Sequence, residues 1–182
     1  MRPGRASKVQ KILGFFVPGG PFVKKEQTIK RLLIIRHAKS SWRLEGVADE
    51  FRPLAARGYR QAPLMAKQLP LSPQLWLCSP AIRAYSTAYL MMSELEPAPL
   101  KIEPALYPGD PRAVLALLSA LPARLERVAL VGHNPGLESL VQQISGEPVR
   151  LRTAEVVLLE SAATHWADLM AGAVLTQLPR PE

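Results

Sequence analysis

From about residue 31 onward, short apolar runs alternate with stretches of helical periodicity, and this alternation limits the fold more than any other feature of the chain. Four runs read as buried strands: Arg31 to Arg36, Leu75 to Cys78, Arg127 to Val131 and Glu155 to Leu159. Weaker ones surround Leu100 to Ile102 and lie near Ala173 to Leu178. Helices are expected over Ala55 to Leu69, Ala81 to Leu95, Arg112 to Leu121 and Gly136 to Ile144. Three of them follow a polar residue and a proline, in Ser79-Pro80, Asp110-Pro111 and Asn134-Pro135. That pairing puts a capping side chain ahead of a proline whose missing N–H is harmless at the first helical position. Pro63 instead falls inside the first helix, where the lost donor predicts a kink or a break. Strands alternating with helices predict a three-layer α/β/α sandwich with a mostly parallel sheet, and such sheets bind ligands beyond the carboxyl ends of their strands.

With 182 residues and 48% hydrophobic content, the chain buries one sizeable core. The expected organisation is a basic, flexible extension over 1–29, one domain over 30–178 and a short tail over 179–182. Charge supports that division. Of the net +8, residues 1 to 31 hold eight basic side chains against Glu26, which is 8 − 1 = +7 and leaves +1 for the remainder. A nearly neutral domain without an aromatic-interleaved basic surface is not expected to bind nucleic acid. No apolar run approaches the roughly 18 to 20 residues of a membrane span. The run Ile12 to Val17 is stopped by Pro18-Gly19-Gly20, and no small-residue cleavage site follows it, so export is not expected either. The single cysteine, Cys78, has no partner for an intramolecular disulfide and sits in an apolar run. It reads as a buried thiol in a reducing compartment, with the cytoplasm the expected location.

Polar chemistry gathers where strands end. Arg36 and His37 close the first strand, and His133 follows Val128-Ala129-Leu130-Val131-Gly132. Arg83 lies in the first turn of the helix after Cys78-Ser79-Pro80, and Arg52 comes from the loop after the first strand. Two arginines and two histidines converging on helix amino termini make an anion pocket suited to phosphate, to which Ser40, Asn134 and Arg52 are candidate contributors. Among these groups histidine is the one able to attack phosphorus, provided one ring nitrogen is bare and the other is held. Gly132 is expected to let the backbone approach a ligand closely. No HxxxH, DxD or CxxC cluster is present to hold a divalent ion, so no metal or other cofactor is expected.

Arg36-His37, the segment Ser79-Pro80-Ala81-Ile82-Arg83-Ala84-Tyr85-Ser86-Thr87-Ala88, and Val131-Gly132-His133-Asn134-Pro135 together resemble the three signatures of the histidine phosphatase superfamily, with its phosphoglycerate mutase-like fold. RHAKSSW, DEFRPLAARGYRQAPLMA and VGHNPGLESLV are similar to its short SixA branch, the phosphohistidine phosphatases, and the likeness runs from about Lys30 to about Leu178. The resemblance implies that His37 is the nucleophile that takes the phosphoryl group. It also implies that Arg36, Arg83 and His133 clamp the non-bridging oxygens without a metal.

Two departures bear on substrate. Ala38 stands where the commonest motif of the superfamily has glycine, and the segment Pro104 to Pro108 lacks the glutamate that larger members use as a general acid. Asp49, Glu103 and Asp110 are the candidates left for an acid or base. An alkoxide leaves phosphorus poorly without a proton, whereas a protonated phosphoramidate carries its imidazole as a neutral leaving group. A missing acid therefore favours N–P over O–P cleavage. Short intervals between elements leave no room for a lid, which suits a phosphohistidine on a macromolecule such as a phosphotransfer domain or a phosphocarrier protein. The alternatives are a small-molecule phosphoester phosphatase of the same chemistry and a catalytically weak phosphoprotein-binding module. His165, Tyr85, Ser86 and Thr87 read as structural, and the Trp42 ring as loop packing.

Overall fold

A computed structural model of the chain describes residues 29–43 and 45–179. The expectations for residues 1–28 and 180–182 therefore lie outside the described residues. Six strands, β1 (Lys30–Arg36), β2 (Leu75–Cys78), β3 (Leu100–Ile102), β4 (Arg127–Gly132), β5 (Val156–Ser161) and β6 (Val174–Gln177), form one sheet in the order β3-β2-β4-β1-β5-β6. The first four in chain order are mutually parallel, and β5 and β6 add an antiparallel edge.

Period-two alternation divides the strand side chains between two cores. Leu32, Ile34, Leu75, Leu77, Val128, Leu130, Val157 and Leu159 face one side, against Val114 and Leu118 of α3 (Pro111–Ser119) and Leu137, Leu140, Val141 and Ile144 of α4 (Gly136–Ser145). Leu33, Ile35, Trp76, Cys78, Ala129, Val131, Val156 and Leu158 face the other, against Ala62, Met65 and Ala66 of α1 (Ala56–Ala66) and Ala84, Ala88 and Met91 of α2 (Ile82–Met92). The three-layer sandwich follows from that division. Among the described residues no helix is long and apolar enough to cross a membrane.

Local expectations fared unevenly. Asp110 caps α3 by accepting from the Arg112 N–H at 3.1 Å, with Pro111 at the first position. The other two junctions differ. Helix α2 begins only at Ile82, flanked by Ala81 without a side-chain cap, and α4 is flanked by Pro135. Ser79 and Asn134 have longer-range partners, described below. Pro63 neither ends nor interrupts α1, which runs on to Ala66. The carbonyl it deprives of a donor belongs to Tyr59, an exposed residue whose backbone can turn to solvent. Gly132 also has a different reason to be glycine, because a Cβ there would meet the Leu137 side chain at 3.3 Å. It makes room for α4 against the sheet.

The loop after β1 is pinned from behind by α1. A Cβ on Gly58 would stand 2.3 Å from the Lys39 carbonyl oxygen, a backbone atom that has no rotamer with which to yield. That carbonyl also accepts from the Ala55 N–H at 2.7 Å, which holds the helix start against the loop. Gly58→Ala is expected to cost about 1–3 kcal/mol through overpacking. The corresponding drop in melting temperature, about 2–12 °C, is measurable by calorimetry; an unchanged midpoint would mean that helix and loop separate freely.

Candidate active site

Backbone pairing sets three chemically active residues side by side. Arg36 pairs with Gly132 and Cys78 with Val131, so β1, β4 and β2 stop together. The His37 N–H then donates to the Gly132 carbonyl at 3.1 Å and the Ser79 N–H to the Val131 carbonyl at 3.0 Å, extending the ladder one step beyond the strands. His37, His133 and Ser79 follow three adjacent strand ends, and the two imidazole centroids lie 5.0 Å apart.

Each polar side chain here is tied to the protein by part of its functional group. A carbonyl oxygen only accepts, so the 2.7 Å contact between His37 Nδ1 and the Ala38 carbonyl puts the ring proton on Nδ1 and leaves Nε2 with a free lone pair. Arg36 donates from NH1 to the Leu151 carbonyl at 2.7 Å. Arg83 donates from NH2 to Asp49 Oδ2 at 2.7 Å and from NH1 to the Asp49 carbonyl. Arg52 donates from NH2 to Ser40 Oγ at 2.6 Å, while its NH1 lies 3.3 Å from Asp49 Oδ1, close enough for an ion pair but not aligned as a hydrogen bond. His133 Nε2 meets Ser79 Oγ at 2.8 Å. The remaining nitrogens, Arg36 Nε, Arg52 Nε, Arg83 Nε and His133 Nδ1, are buried without a protein partner. Buried donors of this kind are costly when left without a partner, and these four belong to residues gathered about His37.

The electrostatics agree with that geometry. Burial lowers the His37 pKa to about 4, opposed by its bond to Ala38 and assisted by Arg83, Arg36 and Arg52. Burial likewise takes His133 down to about 3, with His37 and Arg83 adding to the effect. Both imidazoles are neutral at pH 7, which suits a nucleophile and a neutral donor. Arg36 is pulled down by burial and pushed back up by Glu138 and Glu155 behind it. For Asp49 burial works upward but is outweighed by the Tyr107 hydroxyl, Arg83 and Arg52, so its carboxyl sits below the usual range and is ionised. In this arrangement Asp49 is a counter-ion and positioner of arginines, not a proton donor.

The other expected residues divide. Ser40 is buried behind Arg52. Asn134 spends its amide donors on Glu138 Oε1 at 2.6 Å and the Leu151 carbonyl at 2.9 Å, so it ties loops together and has no donor left for phosphate. The Asp110 carboxylate is committed to the α3 cap. The half-buried Glu103 has no hydrogen bond or ion pair from its carboxylate among the described residues. His165 is exposed. Trp42 does not pack into a loop: it is 74% exposed, with the Arg52 guanidinium 3.3 Å from its ring centroid.

Three contributors escaped the sequence reading. The Tyr107 hydroxyl donates to Asp49 Oδ2 at 3.0 Å while its ring stands edge-on to His133, centroids 5.4 Å apart. The fully buried Thr87 hydroxyl donates to the Arg83 carbonyl at 2.6 Å and accepts from the Ala38 N–H at 3.0 Å, joining α2 to the loop of His37. Ser79 holds His133. Tyr107 lies in the segment Pro104 to Pro108, which has no carboxylate but does carry this phenol, the one signal the sequence offers for it.

Known proteins are similar to this chain in sequence and in fold. The sequence profile of the histidine phosphatase superfamily (branch 1) matches residues 32–107. An uncharacterised protein of Mycobacterium tuberculosis is 32% identical over 153 residues, which span 76% of this chain and 93% of that one. The chain belongs to the histidine phosphatase superfamily. Among solved structures, this histidine phosphatase is similar to a Nakamurella multipartitia protein assigned as the phosphohistidine phosphatase SixA, with 26% identity, TM-score 0.73, and coverage of 84% of this chain and 96% of that one. It is also similar to the protein histidine phosphatase SixA complexed with tungstate, with 27% identity, TM-score 0.70, and coverage of 81% and 96%. These likenesses place it with the SixA-type members and their phosphoglycerate mutase-like fold.

The depressed histidines link this phosphatase's stability to pH. Unfolded, His37 and His133 take up protons near their ordinary value of 6.5; folded, they resist until about pH 4 and 3. Between those limits the unfolded state binds more protons, so stability falls as pH drops from about 6.5 toward 4. Thermal melts across that window should show the decline, and His133→Gln should flatten it. A variant as steep as the parent would reassign the effect.

Proposed function

We propose that this histidine phosphatase removes phosphate from a phosphohistidine borne by another protein, through a covalent phosphohistidine on His37. One observation carries the reading: three arginines and His133, each anchored by protein partners, keep another nitrogen buried and unpartnered, close to a histidine whose Nε2 is bare.

In the first step His37 Nε2 attacks phosphorus in line, the substrate N–P bond breaks, and the substrate imidazole, protonated on its other nitrogen, departs neutral. In the second, water attacks phosphorus, the Nε2–P bond breaks, and inorganic phosphate leaves. Arg36, Arg52, Arg83 and His133 stabilise charge on the transferring group throughout. Guanidinium groups repel a divalent cation, and among the described residues no group of three His, Cys, Asp or Glu gathers to hold one, which supports a metal-independent reaction. The ionised Asp49 supports N–P cleavage, because the leaving imidazole needs no proton donor.

Purified protein should hydrolyse a phosphohistidine-bearing phosphocarrier and phosphoramidate faster than a panel of phosphoesters, with no loss in EDTA. His37→Ala should abolish turnover, and Arg83→Ala should lower kcat about 100- to 1,000-fold. Preference for esters would transfer the substrate to small phosphate compounds. Turnover undiminished in His37→Ala would remove the nucleophile.

A further inference from the structure

We infer that Ser79 is a positioning residue that fixes His133 in the tautomer bearing its proton on Nδ1, so that a neutral imidazole donates to the bound phosphoryl oxygen. The inference rests on the anion-pocket reading above and assigns a task to a residue that contacts no substrate.

Ser79 is fully buried, and its hydroxyl has one proton to give. Its oxygen already accepts from the Ala81 N–H at 3.2 Å. Its other side-chain contact among the described residues is His133 Nε2, at 2.8 Å. If the hydroxyl donates to Nε2, both groups are satisfied and the ring proton lies on Nδ1. If instead Nε2–H donated to the hydroxyl, the Ser79 proton would be buried without an acceptor and Nδ1 would be a bare lone pair facing a phosphoryl oxygen. The second arrangement leaves two defects where the first leaves one unpartnered donor, and that donor is what an anion needs. Tyr107, edge-on to the ring, restricts its rotation from another side.

Function gains from this because His133 need not bind a proton to become a donor. Every charged or titratable group facing it keeps one state near neutral pH. His37 titrates at about 4, Asp49 lies below the usual carboxylate range, Tyr107 lies above its ordinary value, and the guanidinium groups of Arg83 and Arg36 stand nearby. Oxyanion affinity should therefore be flat in pH in the native protein. Without the serine hydroxyl nothing favours the Nδ1 proton, and the neutral ring shifts toward the Nε2–H tautomer, which offers the oxyanion no donor from Nδ1.

The test uses the full chain and tungstate, a dianion across the range examined. Nitrogen-15 NMR of the native protein at pH 7.5 should give His133 a protonated Nδ1 and an unprotonated Nε2; the opposite assignment overturns the inference without any variant. Calorimetric titration from pH 7.0 to 8.5 should find Ser79→Ala about tenfold or more weaker than native throughout, its His133 NMR signals shifted toward a protonated Nε2, with Ser79→Thr restoring both affinity and tautomer. A loss of affinity with the His133 tautomer unchanged would make Ser79 merely structural, and no loss would make it idle; either sinks the proposal. Native protein that binds no tungstate would overturn the anion-pocket reading itself. Tungstate binding with the expected tautomer but no N–P hydrolysis would overturn only the proposed substrate.

Discussion

Everything at the pocket depends on the register with which β4 lies between β1 and β2. Parallel strands fix which residues end level, and the pairs Arg36 with Gly132 and Cys78 with Val131 bring two imidazoles and one hydroxyl to a common edge from segments far apart in sequence. A slip of one residue would send every side chain to the opposite face. The register resists such a slip because both faces are apolar and filled, so the buried cores and the chemistry are specified by the same hydrogen bonds. The two amide bonds just beyond the strand ends carry that precision into His37 and Ser79.

Gathering Arg36, Arg52, Arg83 and two histidines in one place works against folding unless the charges are answered. The protein answers them unevenly. Carbonyl oxygens of Leu151 and Asp49 take guanidinium protons, Asp49 pairs with Arg83, and Glu138 and Glu155 stand behind Arg36. The histidines contribute by staying neutral. The arginines keep positive charge close to His37, which favours a ligand of opposite charge.

Much of this was legible in the sequence, for identifiable reasons. β2 and β3 have the expected limits because an apolar run bounded by Ser-Pro or by proline and glutamate leaves little choice. The sequence singles out Arg36, His37, Arg83 and His133 because each lies close to a strand end, and the structure brings them near one another. Partnerships were harder to read. Ser79 and Asn134 look like helix caps beside a proline, yet their partners include a ring 54 residues away and a carbonyl 17 residues away. Thr87 and Tyr107 were missed on the same ground, since what they do is defined by tertiary neighbours. Pro63 is tolerated because propensity yields where the stranded carbonyl lies on an exposed turn.

The one cysteine of this chain lies at the end of β2, fully buried, its thiol pushed up to about 12 by burial. Reactive thiols are the weak point of phosphatases that attack phosphorus with sulfur, because peroxide consumes the thiolate. In the proposed reaction the attacking atom is nitrogen, and the sulfur is sealed away as a protonated packing group. Oxidative stress that silences sulfur-based dephosphorylation has no thiolate in this pocket to modify.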